Sequence, residues 1–468
     1  MRRTITAVLG AGLLCVTAAP PAAAQEGLSW RDCGDGLQCG RITVPADWAA
    51  PGGERIELGL ARLPARDPAA KKGTLLLNMG GPAQQISVLR QTKALIADLT
   101  QWFDVVVSDP RGFEASTAVV CPDPLPVPGK TGWVLPDRAA YDAFTALNRR
   151  FGAGCAKAAG PLADKLNSWQ VAGDMEAIRV ALGEPKLNYF GNSYGTVVGR
   201  AYAERFPHRV GRMYLDSVID QTNPSWESWL LPRARTKERN LHRFAEWCAT
   251  DKSCALNGRN VLKVWDEVMA RAAKRPIPAP GAGPGAAADA SLIASRVSVS
   301  YEPSWPKLAT SLAEAHAGDA TQFAKYPDVV PDPALSRIVM CADLPSPTAH
   351  DKVMSLEKRL RSVAPRIGWT HAWPRAVQCS GLPEATTIPP REDELRLPPA
   401  LIVSGEYDDA APPADARRIA TQLRGARFVP VKGGHALYLY GHPCVREHVH
   451  RYLSTGKLPA EGTTCGPA

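Results

Sequence analysis

The sequence predicts an α/β fold with a mostly parallel central sheet, interrupted by an inserted, mainly helical cap domain. Three observations predict it. Short apolar runs, several rich in Val, Ile and Tyr, recur with helical stretches between some of them, the signature of parallel strands covered by helices. The segments that follow these runs are rich in polar residues and glycine, which is the character of the ligand-binding edge of an open α/β sheet. Between Gln221 and about Pro390 the strand rhythm stops, and Trp-rich helical segments replace it.

In chain order, residues 1–24 read as a secretory signal. Arg2 and Arg3 lead an apolar stretch from Ile5 to Ala19, and the small Ala22 and Ala24 suit cleavage before Gln25. The stretch is shorter than the roughly 20 apolar residues a membrane span needs, and it runs into Pro20 and Pro21. No later segment is long and apolar enough to cross a bilayer, so a soluble, secreted product without membrane insertion is expected.

Strands are expected at Thr74 to Asn78, Phe103 to Ser108, Lys186 to Phe190, Arg212 to Leu215, Ala400 to Ser404 and Arg427 to Val431. They are followed in turn by MGGP, DPRG, GNSYG, DS, GEYDD and KGGHA. Residues 25–220 and 391–468 would therefore build the sheet, and residues 221–390 the cap. Within the cap, the low-complexity run PIPAPGAGPGAAADA from Pro276 to Ala290 reads as a flexible surface loop.

The chain of 468 residues carries a formal charge of +9, which becomes +7 once Arg2 and Arg3 are removed. Arg and Lys are scattered, with no basic stripe interleaved with aromatics, so no nucleic-acid partner is expected. Without Cys15, ten cysteines remain, an even number that in an exported chain argues for disulfides. There is no CxxC and no HExxH, and no metal is expected. Spacing does not determine connectivity, but pairing of neighbours is expected: Cys33 with Cys39, Cys121 with Cys155, Cys248 with Cys254, Cys341 with Cys379, and Cys444 with Cys465.

The motif Gly191-x-Ser193-x-Gly195 lies between a strand ending at Phe190 and a helix-forming run, TVVGRAYAERF, that stops before Pro207. Strand, GxSxG and helix make a nucleophile elbow, in which glycines permit a sharp turn that lifts the serine hydroxyl above the sheet. This identifies the expected class as the α/β-hydrolase fold and Ser193 as the candidate nucleophile. A serine hydroxyl is a weak nucleophile at neutral pH and needs a base held by a carboxylate. The chain order of this fold, Ser then acid then His, selects Asp408 after one strand and His435 after the next. Asp216, Asp409 and Glu406 are the rival acids. His442, His448 and His450 read as surface residues of a C-terminal helix. The Tyr194 N–H, at the start of the elbow helix, is one candidate oxyanion donor. Gly81 in NMGGPAQQI is the other, ahead of Gly80, and Arg111 of DPRG reads as a tie between loops.

WRDCGDGLQCGRITVPADW, GGP, DPRG, ALGEPKLNYFGNSYGT, LDSVID, FAEWCATDKSCAL, GEYDDAAPP, GGHA and YLSTGKLPAEGTTC carry a resemblance over nearly the whole mature chain. In these stretches the sequence resembles the secreted tripeptidyl aminopeptidases of actinomycetes, relatives of proline iminopeptidases. The resemblance implies a capped α/β-hydrolase with a serine nucleophile at Ser193, an acid at Asp408 and a base at His435. It also implies removal of residues or short peptides from a free N-terminus. The family reads NPGGPGGSG where this chain has NMGGPAQQI, so Ala83, Gln84 and Gln85 replace small residues beside the oxyanion loop. It reads DPRGVGRS where this chain has DPRGFEAS.

The expected partner is thus a peptide with a free N-terminus, entering a cleft that the cap closes on one side. Its ammonium group would need a carboxylate, because an unpaired buried ion is expensive. Glu227 and Glu246, flanked by tryptophans, are candidates. No cofactor is required, and a monomer is expected. The alternatives are a carboxylesterase or amidase with the same triad, and a catalytically weak binding protein on a hydrolase fold.

Overall fold

The computed structural model describes residues 28–468 apart from 129–131, 136, 224, 326–333, 345, 347 and 384–393. The expected signal segment and the expected cap end at Pro390 lie outside the described residues. Nine strands form one sheet: β1 (Arg31–Asp32), β2 (Gln38–Pro45), β3 (Arg55–Leu63), β4 (Thr74–Asn78), β5 (Asp104–Ser108), β6 (Leu187–Asn192), β7 (Val210–Asp216), β8 (Leu401–Gly405) and β9 (Arg427–Val431). Their order is β1-β2-β3-β5-β4-β6-β7-β8-β9. From β5 to β9 all neighbours pair in parallel. The β1–β2, β2–β3 and β3–β5 pairings are antiparallel.

The parallel strands are the six expected ones, with ends shifted by a residue or two. They are legible because both faces are covered, so β4 and β8 are buried at every position. Alternate residues feed two cores. Leu76, Val106, Tyr189, Leu215 and Ile402 face one, and Leu75, Val105, Phe190, Tyr214 and Val403 face the other. The antiparallel edge, β1 to β3, carries Arg41, Arg55 and Glu57 at exposed positions next to buried Ile42, Ile56 and Leu58, which masks it as strand.

Helices α1 (Gln85–Ile96), α2 (Arg138–Ala159), α3 (Ser168–Ala181) and α4 (Tyr194–Arg205) belong to the first part of the chain. Between β7 and β8 come α5 (Trp226–Thr250), α6 (Val261–Lys274), α7 (Ala290–Arg296), α8 (Trp305–Ala317), α9 (Thr321–Ala324), α10 (Ala334–Asp343), α11 (His350–Arg361) and α12 (Pro374–Cys379). Helices α13 (Pro413–Gln422) and α14 (Pro443–Thr455) flank β9. The helical insertion is fastened to the body by a buried ion pair, Arg233 of α5 with Asp415 of α13, at 2.6 Å.

The proline- and glycine-rich run is not the flexible surface loop its composition suggests. Ile277–Pro278 pairs with Ala287–Ala288 as a short hairpin, and Ile277, Ala279 and Ala288 are buried. Three apolar side chains with a packing face outweigh the composition. All five cysteine pairs join the expected neighbours.

Candidate active site

The site begins at the end of β6. Ser193 has φ 53° and ψ −122°, a strained conformation for a residue with a Cβ, and it opens α4 without capping it through its own side chain. The turn is possible because its flanks are glycine. A Cβ on Gly191 would lie 2.7 Å from the Gly195 carbonyl oxygen, and one on Gly195 would lie 2.5 Å from that of Asn78. The Ser193 N–H donates to the Asp216 carbonyl at 2.9 Å, and its own carbonyl accepts from the Thr196 N–H and hydroxyl.

Asp408 follows β8 and is almost wholly buried, and its carboxylate is fully engaged. Oδ1 accepts from the Ala410 and Ala411 N–H groups at 3.0 and 2.8 Å, and Oδ2 lies 2.7 Å from Nδ1 of His435. This arrangement favours the proton on Nδ1 and leaves Nε2 as the basic nitrogen. Burial works to lower the His435 pKa, but the Asp408 carboxylate, with Asp216 and Asp409 farther off, outweighs it and holds the imidazole above its ordinary value.

Asp216 has a different place. Its carboxylate accepts from the Tyr438 N–H at 2.9 Å, the Tyr214 hydroxyl at 3.0 Å and the Ser217 hydroxyl at 3.2 Å. Ser217 in turn accepts from the Ala436 N–H at 2.8 Å. Thus Asp216 and Ser217 fasten the His435 loop, while the Asp216 backbone fastens Ser193. Burial raises the Asp216 pKa against these donors. Among the described residues it makes no hydrogen bond to His435. Glu406 is half-exposed, and its backbone N–H pairs with the Val431 carbonyl.

The loop after β4 lies against the elbow, since a Cβ on Gly80 would stand 3.0 Å from Cβ of Ser193. The Gly80 N–H is taken up by Asn78 Oδ1 at 2.9 Å. No hydrogen bond among the described residues takes up the N–H of Gly81 or of Tyr194. Gln85, buried, donates through Nε2 to the carbonyls of Gly80 and Ala83 at 3.0 and 2.8 Å and accepts the Met79 N–H at 2.7 Å. Gly80 C=O and Gly81 N–H share one rigid peptide plane and point in opposite directions, so Gln85 orients the Gly81 donor. The unusual Gln85 is therefore a brace inside the loop. Gln84 is half-buried, with its Oε1 unpartnered.

Arg111 ties loops as expected, with a bidentate pair to Asp174 at 2.6 and 2.8 Å and bonds to the Ala46 and Pro45 carbonyls. The surface reading of the C-terminal histidines needs correction. His442 is buried against the Gly466 carbonyl, and His450 packs on Trp102 and bonds the Tyr438 hydroxyl.

Glu227 and Glu246 both lie on the outer surface of α5, and Glu227 is paired with Arg359. Asp409, one of the rival acids, is instead a carboxylate enclosed against the insertion. Ser300 donates to it, His371 Nε2 lies 3.7 Å away, and its side chain is 15% exposed. Burial raises its pKa, but His371, Lys237 and Ser300 more than offset this and hold it at about 2. Burial keeps both His371 and Lys237 below their ordinary values. The doublet Asp408-Asp409 was the only trace of this in the sequence. A cavity of about 680 Å³ lined by Trp265, Arg361 and Trp369 lies within the insertion and includes none of these residues.

The α/β-hydrolase fold family matches residues 73–442. The tripeptidyl aminopeptidase of Streptomyces lividans is 30% identical, covering 95% of this chain and 88% of that one. The serine protease Hip1 of Mycobacterium tuberculosis is 28% identical, covering 92% and 87%. Carboxylesterase B of M. tuberculosis is 28% identical, covering 96% and 91%. With an elbow serine, a paired histidine and carboxylate at successive strand ends, and a family match over most of its length, the chain belongs to the α/β-hydrolase fold family and is a serine hydrolase.

Proposed function

We propose that the protein is a secreted serine exopeptidase that releases short peptides from a free N-terminus. Residues 1–24 would be its signal peptide, and residues 221–390 a cap over a body formed by residues 25–220 and 391–468. The five disulfides support an extracellular setting.

In this reading Oγ of Ser193 attacks the scissile carbonyl carbon as Nε2 of His435 takes the hydroxyl proton. Asp408 holds the imidazole and stabilises the imidazolium. The carbonyl oxygen becomes an oxyanion facing the N–H groups of Tyr194 and Gly81. Collapse breaks the C–N bond, and the imidazolium gives its proton to the leaving amine. Water, deprotonated by His435, then attacks the acyl-serine; the C–Oγ bond breaks, the imidazolium returns its proton to Oγ of Ser193, and the N-terminal fragment leaves as a carboxylic acid. These steps call for no cofactor or metal ion.

Similarity to a tripeptidyl aminopeptidase over 95% of the chain supports a peptide substrate. The observation that carries the free N-terminus is the ionised, enclosed Asp409, next in sequence to the carboxylate that holds His435. It offers a counter-charge for an α-ammonium beneath the insertion. The test compares tripeptide p-nitroanilides with free and N-acetylated ends, in the wild type and in Asp409→Asn. Free ends should be cut faster by the wild type, and Asp409→Asn should raise KM for them far more than for the acetylated ones. Equal turnover of both ends by the wild type would refute the reading. The relative named carboxylesterase B supports a second reading. Rapid cleavage of p-nitrophenyl acetate with no anilide cleavage would establish that one.

A further inference from the structure

We propose that α10 is a clamp that positions both donors of the oxyanion site from the insertion, with Ser336 and Asp343 as positioning residues. The inference rests on the reading of Tyr194 and Gly81 as those donors, and it holds for either a peptidase or an esterase.

Ser336 and Asp343 are seven residues apart, two helical turns, so they share one face of α10. Each reaches a different half of the site. The Ser336 hydroxyl donates to the carbonyl of Pro82, the residue after Gly81. Asp343 accepts from the hydroxyl of Tyr194, the residue after the nucleophile. Between them on the same face, Val339 lines a small apolar gap together with Pro82 and Tyr194. Ser336, Val339 and Asp343 are all buried, so solvent does not compete for these contacts.

The helix is itself held in place by other contacts. The Cys341–Cys379 disulfide ties it to α12, Arg337 donates to the Pro126 carbonyl and to Asn148, and Asp343 also accepts from the N–H and hydroxyl of Ser168 at the start of α3. The Gly81 donor is thus gripped from two sides, by Gln85 through the Gly80 carbonyl and by Ser336 through the Pro82 carbonyl. The Tyr194 donor is gripped through its side chain. An oxyanion site stabilises charge because its dipoles are already aimed before the charge appears. Loosening either grip should therefore slow the chemical step without weakening substrate binding.

The test uses Ser336→Ala, Asp343→Asn and the hydroxyl-retaining Ser336→Thr, with an alkyl trifluoromethyl ketone as probe. This ketone adds to the serine of either class of hydrolase and places its oxygen in the oxyanion site. Ser336→Ala and Asp343→Asn should each lower kcat roughly tenfold with KM little changed, less than the loss on deleting a donor outright. The inhibition constant of the ketone should rise by the same factor as kcat/KM falls, and Ser336→Thr should restore both. A fall in kcat/KM with ketone inhibition unchanged would overturn the clamp, as would wild-type kcat in both variants. If the ketone does not inhibit the wild type through Ser193, the underlying site reading fails along with the clamp.

Discussion

Nδ1 of His435 lies 2.7 Å from Oδ2 of Asp408, a carboxylate whose other oxygen is already saturated by two backbone N–H groups. That saturation leaves the carboxylate one direction to act in, toward the imidazole. Asp216, also at a strand end, spends its oxygens on Tyr438, Tyr214 and Ser217. The two acids therefore divide the work: one addresses the ring, and the other holds the loop that carries it.

From this division, Asp408→Asn should lower kcat by about ten-thousand-fold with the fold intact, since the amide favours the wrong imidazole tautomer. Asp216→Asn should show the opposite balance, a smaller loss of kcat and a clear fall in Tm. Kinetics and thermal melts on the two variants decide it, and the reverse ranking would move the acid to Asp216.

The raised pKa of His435 sets a pH dependence. In the proposed mechanism His435 acts as neutral imidazole, so activity should rise with pH through the folded value, and the acid limb of kcat/KM should be centred above about 6.5. Asp408→Asn removes the main charge opposing burial and should move that limb down. The folded state favours the imidazolium, so its contribution to stability is full below the unfolded histidine value and is lost as pH rises through the folded one. The difference in Tm between the wild type and Asp408→Asn should accordingly narrow from mildly acid to mildly alkaline pH. A limb at the same pH in both proteins would contradict this origin of the shift.

Gln85→Leu should unfasten the Gly80 and Ala83 carbonyls and the Met79 N–H together. With the Gly81 N–H no longer aimed, kcat should fall roughly ten- to hundredfold with little change in KM, by comparison with outright loss of an oxyanion donor. Steady-state kinetics on a well-folded Gln85→Leu sample checks it. An unchanged kcat would mean that Gln85 only fills space.

Legibility in the sequence followed physical cause. Runs such as Thr74–Asn78 and Leu401–Gly405 were readable because burial on both faces keeps their middles apolar and admits no charge. The antiparallel strands Gln38–Pro45 and Arg55–Leu63 were not, because one face meets solvent and charges alternate with apolar residues. Ser193 and His435 stood out through glycine spacing and chain order, which a sharp turn and a fixed topology impose. Asp409, Gln85 and Asp343 carried no such mark. What distinguishes them is a partner 109, 5 and 149 residues away, at Ser300, Gly80 and Tyr194. The proline- and glycine-rich hairpin misled because composition says nothing about which of its few apolar side chains find a pocket.

If Ser193 is the nucleophile activated by His435 and Asp408, a fluorophosphonate should label the intact protein there, and mass mapping locates the adduct. One adduct is expected, on the peptide carrying Ser193, formed in the wild type and suppressed in His435→Ala. An adduct on another residue, or none on a folded sample, would overturn the triad.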